Sequence, residues 1–320
     1  MRALLGAPSG VVVEDAGTVV TGDPGYGIAS FILIAPDGDK IDVHTDPDRF
    51  GYRALKGWTG MDLPPTTLYM DSAPLLDGGI PRGARYEPRN IIGGVHVVGA
   101  DRADFRARKR RLLRALLTNR MGKPSPGTFI YVEPDGTTRQ GQYLYAGGAE
   151  GSRAADQYGI VRQKIMFTLR FPDPWAYDPN VYPLVFTPSP GGAFFPILPI
   201  KLVSSRLGTV TLENPGDAPA SPLWVITGPA TAVTLTNQGT GETLVLTKNL
   251  LITDTVTIDT RRGIGTVRDQ SGTNFWPYLS TASTLWQVQP GAQVCTIDVA
   301  GSGAGTSVTV SVPIPYATFA

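Results

Sequence analysis

The sequence predicts a mainly β protein in two parts, the first holding a single α-helix and the second made of strands alone. Three observations lead there. One basic segment, 101–118, spaces its apolar residues as an amphipathic helix does. Elsewhere, short alternating runs are cut by turn residues, Gly and Pro numbering 38 and 28 of the 320. Charge is also uneven: residues 201–320 carry only 13 charged residues, 6 basic and 7 acidic.

In the first part, 11–13 and 19–20 read as short strands. Strands at 29–35 and 40–45 flank the hairpin signal Pro36-Asp37-Gly38-Asp39. The polar stretch 46–87 is too long for a plain connection, so it is expected to hold an ordered functional loop or a short strand. Residues 90–98 are strand-like. The helix follows, with Asp101 as N-cap and Asp104 suiting the positive end of the helix dipole. Phe105, Leu112, Leu113, Leu116 and Leu117 share one face, and Gly122 and Pro124 stop the helix. Strands at 127–133 and 140–146 are joined across Pro134-Asp135-Gly136. In 159–171, Ile165, Phe167, Leu169 and Phe171 face one way, with Met166, Thr168 and Arg170 opposite.

A proline-dense stretch then reads as an interdomain crossing, because proline fixes φ and removes backbone donors. The second part alternates in 233–235, 243–247, 255–259, 294–299 and 307–312, with turn signals every ten or so residues, as a β-sandwich requires. The expected division is 1–175, a crossing at 176–202, and 203–320.

Composition narrows the function. A net charge of +1 gives no global pull toward nucleic acid or membranes. No apolar run approaches a membrane span, and the start, Met1-Arg2-Ala3-Leu4-Leu5, makes a poor secretory signal, so synthesis in the cytoplasm is expected. The single Cys295 rules out an intrachain disulfide and shares a strand face with Ile297 and Val299, which reads as a buried thiol. His44 and His96 have no partners at metal-ligand spacing, so no metal is expected. No nucleophile motif or phosphate-binding loop occurs, and Gly301-Ser302-Gly303-Ala304-Gly305 lies between strands as a hairpin loop. The acids Glu213, Asp217, Asp254 and Asp259 read as turn residues rather than a glycosidase pair. No catalytic residue and no cofactor are expected.

Two constellations remain. The helix carries Arg102, Arg106, Arg108, Lys109, Arg110, Arg111 and Arg114. These could neutralise phosphates, but no aromatics interleave with them, so a solvated or subunit-facing surface around a Phe/Leu stripe reads better. Trp224, Trp276, Tyr278 and Trp286 would form a sugar-stacking platform if exposed and plain core if buried. The position of Trp286 between Leu285 and Val288 favours core.

Four stretches, in this order, resemble the distal tail proteins of long-tailed, non-contractile phages. They are Arg89-Asn90-Ile91-Ile92 with Gly99 and the helix ending Leu112-Leu113-Arg114-Ala115-Leu116-Leu117; 159–171 with Pro172-Asp173-Pro174-Trp175; 210–219 with Asn214-Pro215-Gly216-Asp217; and Thr227-Gly228-Pro229, 255–260 and Gln289-Pro290-Gly291-Ala292-Gln293. The sequence departs from the family at Gln293, where Asn is usual, and in its long crossing. The resemblance implies an N-terminal β domain with one helix, followed by a galectin-like or carbohydrate-module-like sandwich. It implies a hexameric ring at the distal tip of the virion tail, between the last ring of tail tube protein and the tail-associated, fibre or receptor-binding proteins. DNA would meet it only in passing through the lumen. On this reading Arg102, Arg106, Arg108, Lys109 and Arg111 are the candidate subunit interface, with acids around 37–48 or 71–77 opposing them. The rival function is glycan attachment through the sandwich.

Overall fold

The computed structural model describes residues 30–44, 50–72, 77–120, 122–151, 161–181, 183–187 and 206–319. The strands expected at 11–13 and 19–20, and the crossing beyond residue 187, lie outside these. The chain divides into two compact units, 1–59 with 90–172, and 60–89 with 173–319.

The first unit is a closed barrel. Its strands are β1 (Ser30–Ile34), β2 (Lys40–His44) and β3 (Gly51–Ala54). A hairpin of the other unit, β4 (Thr66–Asp71) and β5 (Ile80–Tyr86), interrupts the sequence. There follow β6 (Arg89–Val98), helix α1 (Arg102–Ala115), a two-residue ladder of β7 (Asn119–Arg120) and β8 (Lys123–Pro124), then β9 (Gly127–Val132), β10 (Thr138–Gly147) and β11 (Arg162–Phe171). The pairing runs β11-β6-β3-β2-β1-β9-β10, and β10 returns to β11, so seven strands close without an edge. β2 and β3 pair in parallel.

Alternation places Phe31, Leu33, Phe129, Phe167, Leu169 and Phe171 inside, all buried. Trp58 stacks on Phe31 at 4.5 Å and 14° and meets Phe167 edge-on at 5.8 Å. Gly93 makes room for it, since a Cβ there would overlap the indole. The 46–87 segment thus supplies β3 and the Trp58 insertion to the barrel, and the hairpin to the other unit.

Helix α1 begins where the sequence places it. The Asp101 carboxylate accepts from the Asp104 N–H, and the Asp104 carboxylate accepts from the Ala100 N–H at 2.8 Å. It ends at Ala115 rather than near 118. Phe105, Leu112, Ala115 and Leu116 are buried, but Leu117 is 59% exposed, because the backbone has left the helix before reaching it. The hydroxyls of Tyr52 and Tyr143 donate to the Arg108 and Ala115 carbonyls, fixing the helix to the barrel.

The second unit is a two-sheet sandwich. Its strands are β12 (Ala176–Tyr177), β13 (Leu184–Phe186), β14 (Arg206–Asn214), β15 (Leu223–Thr227), β16 (Ala230–Asn237), β17 (Thr243–Leu250), β18 (Thr255–Asp259), β19 (Thr266–Asp269), β20 (Gly291–Ala300), β21 (Ser307–Ser311) and β22 (Pro315–Tyr316). One sheet runs β13-β21-β15-β18-β19 and the other β14-β20-β16-β17. Trp224, Leu235, Ile258, Trp286, Ile297 and Val310 fill the space between them. The strand β13 lies within the stretch expected to be a plain crossing; Leu184, Val185 and Phe186 pair with β21 instead.

The 60–89 excursion is held to this unit by a buried arginine. Arg89 is 1% exposed and donates to the Met61, Asp62 and Ala317 carbonyls, with its guanidinium 5.3 Å from the Phe319 ring centroid. Burial lowers its pKa to about 10, so it stays cationic at neutral pH. The Phe319 N–H donates to the Met61 carbonyl, and Tyr86 meets Trp175 edge-on.

Candidate functional site

Three surfaces carry exposed chemistry, and each is built by a particular element. The first is helix α1. Its cations do not form one open patch. Arg111 makes a two-pronged contact with Asp39, 2.6 and 2.8 Å, and donates to the Lys40 carbonyl. The Arg111 hydrogen bond holds the Asp39 carboxyl below its ordinary range. Arg114 reaches Asp37 at 3.4 Å. Arg108 pairs with Asp104 one turn back, and Lys109 donates to the Gln163 side chain. So Arg108, Lys109 and Arg111 are engaged within the chain, and the acids at 37 and 39 are answered by the chain's own helix. Asp46 and Asp48, also expected to oppose the helix arginines, lie outside the described residues. Arg102, Arg106 and Arg110 follow one another at i, i+4 and i+8 along the exposed side.

The second surface is the outer face of β3, β6 and β11. These three strands contain no Asp or Glu. Arg162, Lys164, Met166 and Arg170 point outward from β11, and Arg53 stands opposite His96 across the β3–β6 pair. The His96 pKa is lowered first by burial and then by Arg53, Lys164 and Arg162, so the imidazole reports a positive field. Apolar side chains sit among these charges: Ile92 and Met166 are each 47% exposed.

The third is the hairpin β4–β5. Every residue of β5, and all but one of β4, is exposed. Leu68, Tyr69, Met70, Ile80 and Tyr86 are all at least 47% exposed. Arg82 and Asp71 pair across it, and Arg85 pairs with Glu87 at its base.

The tryptophans divide. Trp224 is fully buried, and Trp286 packs edge-on to it at 5.6 Å and donates to the Leu235 carbonyl. Neither can stack on a sugar, which corrects that reading for both. Trp276 and Tyr278 lie on a one-turn 3-10 helix, 47% and 38% exposed, with the Lys248 ammonium 4.2 Å from the Tyr278 ring centroid.

The remaining candidates for chemistry are accounted for locally. Asp259 is held by Arg261, whose hydrogen bonds keep its pKa low against the cost of burial. Burial pushes the Cys295 thiol up to about 12, so it is not a nucleophile at neutral pH. Among the described residues no three His, Cys, Asp or Glu side chains group as a metal site, and no helix is long and apolar enough to cross a membrane.

Residues 215–312 match the family model of the siphovirus-type tail component, C-terminal domain. The matched residues all lie within the sandwich unit. No curated protein matches it by sequence. Among solved structures it is similar to SPP1 Dit, described as a paradigm of the hub adsorption apparatus in phages infecting Gram-positive hosts. The TM-score is 0.59 and the identity 16%, over 89% of this chain and 98% of that one. It is also similar to a chain of the phage p2 baseplate in its activated conformation with strontium, with a TM-score of 0.51 and 10% identity, over 90% of this chain and 98% of that one. At these identities the likeness is one of fold, and it extends well beyond the matched 215–312 into the barrel unit.

Sequence reading found the helix cations but missed the other two surfaces. The barrel face was legible as outward Arg and Lys positions on acid-free strands. The hairpin's signal was the length of the 46–87 stretch, which called for an ordered loop or a strand without locating it.

Proposed function

We propose that this chain is a structural virion protein, the distal tail hub. It would form a six-membered ring at the tail tip, joining the last ring of tail tube protein to the tail-associated, fibre or receptor-binding proteins below. The observation that carries this is the tail-component match over 215–312 on a chain whose fold is similar to that of SPP1 Dit over 89% of its length. The surfaces agree in kind. Their exposed groups are apolar residues and paired or clustered charges, which suit protein contacts, and a hub acts through such interfaces rather than by turnover. The barrel unit would surround the lumen through which DNA passes, and the sandwich would be of the galectin-like kind. No enzyme activity or cofactor is assigned. Native mass spectrometry and negative-stain images of the purified chain test the reading: a six-fold ring supports it, and a monomer at all concentrations contradicts it.

A second reading has one observation in its favour, the exposed Trp276 and Tyr278 beside Lys248. On that reading the sandwich also holds a host glycan. Glycan-array binding that Trp276→Ala abolishes without change in melting temperature would support it, and binding unaffected by that change would refute it.

A further inference from the structure

We propose that the row Arg108, His44, Arg53, His96 and Lys164, running from α1 across β2, β3, β6 and β11, is a binding site for an oxyanion of the phosphate class, and that mild acid tightens it. The row lies within the barrel unit alone. It goes beyond the hub reading and does not depend on it.

Strand register builds the row. His44 of β2 pairs with Arg53 of β3, and Arg53 pairs with His96 of β6. Their neighbours Val43, Tyr52 and Val97 are buried, so these three side chains face outward together. On one side Met166 of β11 lies over Gly94, where a Cβ would strike its sulfur, and the Gly99 N–H donates to the Val161 carbonyl. β11 therefore runs antiparallel to β6 and brings Lys164 beside His96. On the other side Arg108 reaches in from α1. Its Nη1 and the His44 Nε2 lie 3.5 and 3.4 Å from the point where a Gly51 Cβ would sit, and Gly51 leaves that space open at a φ of +130°. The chain has two histidines, and both alternate with permanent cations in this row.

Like charges on neighbouring strands, about 5 Å apart, repel. β1, beside β2, holds no charged residue, and β3, β6 and β11 hold no carboxylate. Two acids adjoin the row at its helix end. Asp104 pairs with Arg108 at 2.8 Å, and Asp42, two residues before His44 on the strand that also carries Lys40, acts on Arg111. At the β6–β11 end Arg162 adds a further cation, so an added anion gains most there. His96 shows the cost. Its Nδ1 is enclosed without a hydrogen-bond partner among the described residues. Burial, then Arg53, Lys164 and Arg162, hold its pKa below the ordinary 6.5, so the ring is mostly neutral at pH 7. An anion that binds the charged ring draws this value back up, and by the same linkage acid tightens the anion. An oxyanion over Arg53 meets a guanidinium fork with an imidazole on each side, within about one strand spacing. The outward side chains of β3, β6 and β11 include no Phe, Tyr or Trp on which bases could stack, which favours a lone oxyanion over a nucleic-acid strand.

The test uses the full-length chain with isotope-labelled histidine, its two imidazole signals assigned with His44→Gln and His96→Gln. The probe is inorganic sulfate, whose charge is constant between pH 5 and 8, against chloride at equal ionic strength. By NMR titration the His96 midpoint should stand at least about half a pH unit higher in sulfate, and calorimetry should find sulfate bound at least about threefold tighter at pH 5.5 than at pH 7.5. His96→Gln should flatten that pH dependence. Lys164→Gln, at an exposed position, and Arg53→Gln should each weaken binding at least about threefold, with melting temperatures confirming the fold. If Arg53→Gln does not fold, Lys164→Gln decides alone. Equal midpoints in sulfate and chloride, or wild-type binding by Lys164→Gln, overturn the proposal. So does a single-stranded oligonucleotide that displaces sulfate at pH 7.5 with a steep salt dependence, which would make the face a nucleic-acid surface. None of these readings depends on the oligomeric state, so the anion site and the ring reading fail separately.

Discussion

At the scale of single residues, two polar side chains do structural tasks that their exposure alone would not suggest. Arg89 is buried and serves three carbonyls, Met61, Asp62 and Ala317, from segments far apart in sequence. Replacing it with Ala leaves those acceptors without a donor in a closed environment. Arg89→Ala should cost about 2–4 kcal/mol in urea unfolding, and Arg89→Lys should recover only part, since an ammonium lacks the planar fork. A loss under about 0.5 kcal/mol would show that water replaces the guanidinium freely. Asp39 acts at the surface. Its carboxyl is held below the ordinary value of 3.8 by Arg111. The folded group therefore releases its proton more readily than the unfolded one. Its contribution is complete above 3.8 and is lost as pH falls through the lower folded value. A half-exposed pair of this kind is worth about 0.5–1 kcal/mol. Asp39→Asn should melt slightly below wild type at pH 7, and the two curves should converge as the pH falls below 3.8 and through the lower folded value. A gap that persists unchanged into acid would mean the pair contributes nothing through its charge. Arg89 was legible only as part of a family resemblance, because a lone arginine beside a strand looks like any surface residue until the fold buries it.

At the scale of elements, local patterns decided most of what could be read. Period two identified β11, and the Asp101 cap with its apolar stripe identified α1, because both depend on neighbours in sequence. The same logic failed where partners are remote. β3 has four residues and pairs in parallel with β2, so no hairpin turn announces it. The helix cations read as an open patch because Asp37 and Asp39, which take two of them, lie more than 70 residues away. The favoured core reading of the aromatics holds for Trp224 and Trp286 but not for Trp276 and Tyr278, and only packing distinguishes the two pairs. One glycine tests how α1 is seated. A Cβ on Gly99 would collide with the backbone and Cβ of Phe105 in the first turns of the helix. Gly99→Ala should cost about 1–3 kcal/mol, with amides of α1 losing exchange protection before those of the barrel strands. Unchanged stability would mean the helix can shift away without loss.

At the scale of the molecule, the division into a helical β part and an all-β sandwich was legible from charge and turn distribution. The excursion was not. Residues 60–89 belong with the second unit although they precede most of the first, and sequence order gives no hint of such a return. Their attachment depends on Arg89 and on backbone bonds such as Phe319 to Met61. The proposed function rests on assembly into a ring. The most direct measurement is the native mass of the purified full-length chain across a range of concentrations, read with negative-stain images of the same sample. The expected species is a closed ring of six subunits with a central opening. A monomer throughout, or a two-fold dimer without an opening, would contradict it.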